Sequence, residues 1–406
     1  RELSSVRKAL VVTFFALLFS HVAVYDLTSV SFFSPMEKAS DFRFSDFYTL
    51  VANDRAVRQL DPDIVIVAVD GCKRADIARA LTDIDFCNPA AIGVDIAFSR
   101  PADPETDPLM EALGTCQNLV MPVEAQEAGN GLYSAVHVSW YDSAISPSGG
   151  YGAVNIQGDK DTWTTVREFK SFFPTSASDT ITSLPAAVAS MLRPESRHTL
   201  VIRNNEDEMI TYCSRDFETL YPDEILDNQE AIEGKIVLVG KIHDAADLHQ
   251  TPVGNFTPGL LIQAHTTATI LSGDFTRRLS ETETYIIAAI LCFFTAWLNI
   301  RLHNSPVGPI TVRILQLLLL YLMILTGTQA YIRWNIDLNF AFAILTTTIS
   351  VAACDIFDGI FAEGALIDKS KNLYHKIHQY FKDNETKPAI QAPADSDDNR
   401  PAATES

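Results

Sequence analysis

The chain has 406 residues and a formal net charge of −20. Such an acidic balance argues against a nucleic acid as partner, because nucleic-acid phosphates require a basic surface. A chain of this length can bury a hydrophobic core of its own. It contains neither the dinucleotide-binding pattern GxGxxG nor the phosphate-binding pattern GxxxxGK[ST], and we expect no cofactor.

Four apolar stretches predict membrane-spanning helices, since a spanning helix needs about 20 mostly apolar residues. They cover residues 9–26, 282–301, 310–332 and 337–360. Three basic residues lie in the short segment 1–8, and positive charges that flank a span stay in the cytoplasm. Residues 27–281 should therefore lie outside the cytoplasm, and the tail, residues 361–406, inside it.

The two ends of the chain carry further signals. Residues 18–25 offer no pair of small residues at cleavage spacing, so we expect an uncleaved anchor rather than a signal peptide. In the tail, a heptad pattern over residues 366–380 indicates either a short coiled coil or an amphipathic helix on the inner leaflet. The composition from residue 384 onward, rich in Pro, Ala, Asp and Ser, predicts disorder.

The first part of the middle segment alternates between strand and helix patterns. Residues 63–70 are a continuous β-branched run, which is typical of a strand buried on both faces. Apolar residues at helical spacing follow over 73–84, and residues 90–98 form a second such strand. Asp107 and Pro108 then indicate a helix start, with an acidic cap followed by proline in the first turn.

The pattern continues with a third strand over residues 118–123 and with short segments over 136–169 that suggest hairpins. The remaining predicted elements are a helix over 183–192, paired strands over 197–203 and 209–213, a buried strand over 235–240 and a helix over 259–271 that ends at Gly273. Strands that alternate with helices imply a parallel sheet. We therefore expect a three-layer α/β domain with a mostly parallel sheet and an antiparallel insertion.

Polar side chains follow the predicted strands at the sheet edge where binding sites usually form. The set comprises Asp70, Asp95, His243, Asp244, Asp247 and His249. We predict a ligand-binding site here, and His243, Asp247 and His249 have the chemistry of zinc ligands. The alternative is that these groups hydrogen-bond the loop backbone. Neither a GxSxG nucleophile elbow nor an HExxH helix occurs, so we expect no enzyme.

The cysteines and one further histidine have simpler interpretations. No spacing resembles a CxxC metal or redox motif, and we expect mostly free, buried thiols. Cys87 and Cys116 are the exception that could meet, because each ends a helix just before a strand. His265 falls on an apolar helix face and is predicted to be a core residue.

Three groups of segments carry a resemblance to a known family. They are Asp63–Asp70, Asn88–Phe98, and Gly234–Gly240 with Asp247–Val253 and Pro258–His265. Together they resemble the type-two CHASE domain, an extracytoplasmic sensory module attached to bacterial cyclases and histidine kinases. The similarity runs from Phe44 to Gly273, and one span before the domain with three after it is similar to the family's layout.

The resemblance implies a sensory or ligand-binding protein in a bacterial inner membrane, with a small-molecule or protein ligand outside the cytoplasm. Only some 45 residues follow the last predicted span, which leads us to expect output through a separate cytoplasmic signalling protein or a homo-oligomer. A metal-binding protein or a structural scaffold of a membrane complex is the alternative. The family supplies no established ligand residues for this chain.

Overall fold

A computed structural model describes residues 5–23, 43–100, 103, 105–136, 144–157, 164–176, 179–204, 207–212, 215–302, 305 and 307–361. The predicted heptad repeat and disordered end of the tail lie outside these residues, and so does Cys213. Everything said below about the structure refers to this described part of the chain.

The α-helices, numbered in chain order, are α1 (Ser5–His21), α2 (Phe44–Arg55), α3 (Arg74–Phe86), α4 (Pro108–Thr115), α5 (Leu184–Leu192), α6 (Pro194–Arg203), α7 (Gln229–Ile232), α8 (Gly259–Ser272), α9 (Glu281–Leu302), α10 (Gly308–Trp334) and α11 (Ala341–Phe361). The start of α4 and the end of α8 follow the predicted signals. The Asp107 side chain accepts a hydrogen bond from the Leu109 amide, and Gly273 ends α8 with a φ of 70°.

The strands are β1 (Gln59–Ala68), β2 (Ala91–Asp95), β3 (Leu119–Gly129), β4 (Leu132–Val136), β5 (Gly150–Ala153), β6 (Glu168–Phe169), β7 (Phe172–Pro174), β8 (Thr180–Thr182), β9 (Glu208–Met209), β10 (Arg215–Leu220), β11 (Ile236–Gly240), β12 (Leu248–Thr251), β13 (Gly254–Pro258), β14 (Arg277–Arg278) and β15 (Ile336–Asp337). The buried strands β1, β2, β3 and β11 confirm the β-branched runs of the sequence.

The central sheet is mostly parallel. Its strands lie in the order β10-β1-β11-β2-β3-β4, with β5 also pairing with β3, and only β4 runs antiparallel to its neighbour. Ala68 of β1 lies beside Gly240 of β11, which lies beside Asp95 of β2. The antiparallel pairs β6–β9 and β7–β8 lie outside this sheet. The prediction of hairpins over residues 136–169 is not confirmed among the described residues, because β5 joins the central sheet parallel to β3 and the antiparallel pairs lie mainly after residue 169.

Helices cover both faces of the sheet, which gives the predicted three layers. On β1, Val65 and Val67 belong to the core shared with α3 and α4, whereas Ile64 and Ile66 belong to the core shared with α5 and α8. Successive strand residues point to opposite faces, so a run of β-branched residues serves both cores at once. This is why the sequences of these strands are continuous apolar runs.

The prediction of paired strands over residues 197–203 and 209–213 is wrong. Residues 197–203 belong to helix α6, which begins with Pro194 in its first turn and ends at Asn204 in the left-handed conformation. The β-branched residues that suggested a strand, Val201 and Ile202, are exposed on this helix. Proline at the first helical position and the left-handed Asn are the stronger signals.

The prediction of four spanning helices is supported in part. Among the described residues, two helices are long and apolar enough to cross a membrane, namely Glu281–Leu302 and Ile310–Trp334. Helix α1 has 17 residues; α11 has 21 residues, and its part with described side chains, Ala341–Phe357, is shorter than a full span. The predicted first span reaches residue 26; α1 ends at His21, residues 22–23 continue it as a π-helical turn, and residues 24–26 lie outside the described residues.

The four apolar helices nevertheless form one bundle. Helices α1, α9 and α11 pack closely on one another, whereas α10 packs more against α2 and β15 than against α11. Small side chains line the contact, including Ala9 on α1 and Ala296 on α9, which allows close approach of the helices. The His21 Nδ1 atom lies 2.6 Å from the Tyr285 hydroxyl, so the end of α1 meets the start of α9.

The chain enters and leaves the α/β domain at the same edge of the sheet. Helix α2 leads directly into the start of β1, and Arg215, at the start of β10, forms an ion pair with Asp274, just after α8. The carboxyl ends of the strands lie at the opposite edge. Strand β10 has six residues and pairs with β1 from Gln59 to Val67 across a register shift, so at about 3.3 Å per residue the two edges are roughly 20 Å apart.

Candidate functional site

Asp70 anchors the predicted site at the carboxyl-terminal edge of the sheet. Its carboxylate accepts hydrogen bonds from the backbone amides of His243 (2.8 Å) and Ile242 (3.1 Å) in the loop after β11. Burial opposes ionisation, but these hydrogen bonds outweigh it and lower the pKa of Asp70. The carboxylate therefore fastens the β11 loop to the end of β1.

The side chains of the loop after β11 also contact groups close to them in space. The His243 ring is 69% exposed, with Nδ1 3.5 Å from the Asp70 carboxylate. Asp244 accepts a hydrogen bond from the Ala246 amide at 3.0 Å, and it forms an ion pair with Lys241 at 3.1 Å. Asp244 thus caps the short 3-10 helix that follows it.

Asp247 and His249 form a separate pair at the start of α8. The His249 Nε2 atom lies 3.2 Å from the Asp247 carboxylate, and the His249 side chain is buried. The Asp247 carboxylate also lies against Gly259, the first residue of α8, where an added Cβ would lie 2.9 Å from Asp247 Cγ. An acidic group at a helix amino terminus is stabilised by the helix dipole.

The six predicted residues share one sheet edge without forming one ligand set. Asp95, at the end of β2, is partly exposed. No group of three or more His, Cys, Asp or Glu side chains in the described part of the chain could hold a metal ion. The metal hypothesis therefore lacks its third ligand, because the His243 ring contacts Asp70 instead of joining Asp247 and His249.

A denser cluster of charged side chains lies at the opposite edge of the sheet, and sequence reasoning missed it. We call it the joint cluster; its members are Arg43, Asp46, Arg167, Glu168, Arg278 and Asp337. These residues come from α2 and the residue before it, from β6 and the residue before it, from β14 and from β15. They are up to 294 positions apart in the sequence, so no local motif could reveal them.

The tightest contact of the joint cluster is a two-pronged ion pair. Arg167 donates from Nε and Nη2 to the two carboxylate oxygens of Asp46, both at 2.7 Å, and the Arg167 side chain is only 5% exposed. Paired donors of this geometry make the strongest charge-assisted hydrogen bonds. The pair fixes the start of α2 to the domain.

Glu168 and Asp337 extend the joint cluster toward the apolar helices. Glu168 forms ion pairs with Arg43 and, at 2.7 Å, with Arg278. Burial opposes ionisation of Glu168, but the two guanidinium groups lower its pKa. Asp337 lies between α10 and α11, and burial raises its pKa despite the nearby Arg278 and Arg43.

Helix α2 also packs directly on α10. The Thr49 and Tyr331 hydroxyls are 2.8 Å apart. Tyr48 is fully buried, and burial, together with Asp337, raises its pKa to about 12. A Cβ added at Gly327 would lie 2.6 Å from Tyr48 Cζ, so glycine is needed there. β14 pairs with β15 beside this contact.

His265 and the cysteines lie in the domain core or the bundle. The His265 ring packs against Tyr212 and Phe217, and its Nδ1 atom has no hydrogen-bond partner among the described residues. Burial, helped by Arg215, lowers the pKa of His265 to about 4. The described cysteines are free thiols, and Cys87 and Cys116 do not pair.

These observations define a class: an α/β domain tied by its amino-terminal sheet edge to a bundle of apolar helices. The model of the CHASE2 domain family matches residues 16–298, so the chain belongs to this family. The match extends beyond the predicted Phe44–Gly273 into α1 and α9. CHASE2 domains are extracytoplasmic sensory modules, and a sensory role for this chain is consistent with its membership of the family. No curated protein and no solved structure gives a significant match.

Proposed function

We propose that this protein is a membrane-anchored, non-enzymatic sensor in a bacterial inner membrane. Its α/β domain lies outside the cytoplasm and binds a small molecule or another protein. The apolar bundle carries the resulting movement across the membrane, and the cytoplasmic tail passes it to a separate signalling protein or to a second copy.

The observation that carries this proposal is the joint between α2, the domain and α10. A domain that was merely tethered would need only two chain connections. Here the buried Asp46–Arg167 pair, the Glu168 ion pairs and the β14–β15 ladder add ties that the covalent chain does not require. Because of these ties, a displacement of the domain would also displace α10. Energetic coupling between distant sites requires such a series of contacts.

The packing of the bundle supports four crossings, although two helices in the described part of the chain are long and apolar enough to span by themselves. One face of α1 is buried against α9 and α11, as expected for an anchor that stays in the protein. Arg313, near the start of α10, lies 3.4 Å from Asp355 in the last turns of α11, so these two helices run antiparallel. The four helix ends nearest the domain are then all on one side.

Cysteine labelling tests the topology. His243→Cys, at the exposed loop far from the bundle, should react with a membrane-impermeant maleimide in spheroplasts. Arg301→Cys, at the other end of α9, should react only after lysis. The wild-type protein gives the background from native thiols. Labelling of Arg301→Cys but not His243→Cys in intact spheroplasts would overturn the topology.

Photo-crosslinking of the full-length protein tests the relay. A photoreactive amino acid at Glu363, in the tail, should form a reproducible adduct with a cytoplasmic protein or with a second copy. The same amino acid at His243 is the matched control and should not form this adduct. Correct insertion without any adduct from Glu363 would contradict signalling through the tail.

A further inference from the structure

Helix α2 carries an exposed apolar face that the bundle and the domain leave uncovered. Tyr48 and Thr49 face α10, whereas Phe47 and Leu50, on the other side of the helix, are 41% and 51% exposed. Large apolar side chains on one helix face, next to an apolar bundle, indicate a surface that something covers.

The level at which α2 meets α10 identifies what covers this face. Tyr48 contacts Gly327, which lies seven residues before the end of α10, and Thr49 contacts Tyr331, three residues before it. At about 1.5 Å per residue, these contacts lie roughly 5–10 Å below the end of the helix. Helices in a membrane interface bury their apolar faces to about this depth.

The charges beside this face fit the same environment. Arg55, in the last turn of α2, lines a 240 Å³ cavity together with Ile332 and Asn335 of the α10 end. Arg333 is exposed next to them. Neither arginine forms an ion pair with another residue of the described chain. The acidic residue closest to Arg55 in the sequence is its neighbour Asp54. Two such guanidinium groups at headgroup level attract anionic lipids, even in an acidic protein.

We propose that α2 is an interfacial helix. Phe47 and Leu50 enter the outer leaflet of the membrane, and Arg55 and Arg333 bind the headgroups of anionic phospholipids. This proposal rests on the proposed function in one respect, since it requires α10 to cross the membrane. It adds a partner, the lipid surface itself, which contacts the helix that joins the domain to the bundle.

Tryptophan quenching by brominated lipids tests the apolar contact in the full-length protein, reconstituted in nanodiscs. Phe47→Trp should lose about half or more of its added emission with lipids brominated near the headgroup. Phe256→Trp, at a 69% exposed position near the carboxyl-terminal sheet edge, is the matched control and should lose none. Wild-type spectra are subtracted because the chain has four native tryptophans.

A third variant separates this proposal from the proposed topology. Leu318→Trp, on the exposed face of α10, should be quenched by lipids brominated deep in the acyl chain. If Leu318→Trp is quenched and Phe47→Trp behaves like Phe256→Trp, the interfacial helix is wrong and the topology stands. If Leu318→Trp is not quenched, α10 does not span and the proposed function fails with it.

The headgroup contact is tested by native mass spectrometry. Wild-type protein from mixed nanodiscs should retain phosphatidylglycerol over phosphatidylcholine. The double variant Arg55→Gln, Arg333→Gln should lower that preference by about 30-fold, which corresponds to roughly 1 kcal/mol for each of the two basic residues near an anionic surface. The variant Arg79→Gln, on α3, should leave the preference unchanged. An unaltered preference in the double variant would overturn the headgroup assignment.

Discussion

The two edges of the parallel sheet use their charged residues in opposite ways. At the carboxyl-terminal edge, Asp244 and Asp247 contact groups in their own loop or at the start of the next helix. At the amino-terminal edge, Arg167 and Arg278 join elements that are far apart in the sequence. The first edge is built to hold loops in place, and the second to hold the domain against the bundle. Long-range contacts occur at both edges, since Asp70 binds amides 172 and 173 residues away, but those at the amino-terminal edge connect the domain to the bundle.

The largest expected effect comes from breaking the Asp46–Arg167 pair. Arg167→Ala leaves the Asp46 carboxylate without its main partner at a nearly closed site, which should cost about 3–5 kcal/mol of unfolding free energy. Chemical unfolding of the detergent-solubilised protein measures this. Arg58→Ala is the matched control, because Arg58 is 64% exposed and 3.4 Å from Asp216, and it should cost less than about 1 kcal/mol. Equal losses for both variants would contradict a special role of the amino-terminal edge.

His265 should make the domain sensitive to acid. Its pKa is about 4 in the folded protein and about 6.5 when unfolded, so protons bind preferentially to the unfolded state between these values. Stability should therefore fall as the pH drops from 6.5 to 4, by up to roughly 3 kcal/mol. His265→Phe should remove this part of the pH dependence in an unfolding series. An unchanged slope in that window would show that another group is responsible.

The contact between Gly327 and Tyr48 should be of intermediate strength. Gly327→Ala places a methyl group where the Tyr48 ring lies, and overpacking of this kind costs about 1–3 kcal/mol. In a Tyr48→Ala background, the same change should cost much less, because the clash is gone. This double-mutant cycle isolates the α2–α10 contact. Additive effects would mean that Gly327 acts through the bundle rather than through α2.

The smallest effects should come from the carboxyl-terminal edge. Asp70→Asn retains one hydrogen-bond acceptor but loses the charge that two amides contact, and about 1 kcal/mol of stability should be lost. His243→Ala, at an exposed ring, should change stability by less than about 0.5 kcal/mol. Thermal unfolding compares the two. A larger loss for His243→Ala would point to a role that its contacts do not explain.

Much of the domain was predictable because its signals are local. The β-branched runs of β1 and β11, the Asp107 cap and the Gly273 helix end each depend on neighbouring residues only. Residues 197–203 show the limit of that approach, because a short apolar run such as Leu200–Ile202 fits a strand and a helix equally well. The proline at the start of α6 and the left-handed Asn204 at its end separate the two.

The six residues predicted as a ligand site lie at one edge of the sheet, as strand order implies, and ligand binding there stays a prediction. Their contacts were not predictable, since whether His243 meets Asp70 or His249 depends on loop conformation. The joint cluster could not be predicted from the sequence for another reason. Asp46 and Arg167 are 121 residues apart, and nothing in either local sequence indicates the other. Helix α2 was missed as well.

Because both chain connections of the α/β domain lie at its amino-terminal sheet edge, the domain is held from one end only. The opposite edge stands roughly 20 Å away, given the six residues of β10. Under the proposed function, that distance is a lever arm. A force applied at the far loops would produce a torque about the attachment to the bundle and would tilt α2 and α10 instead of stretching the polypeptide between two anchors.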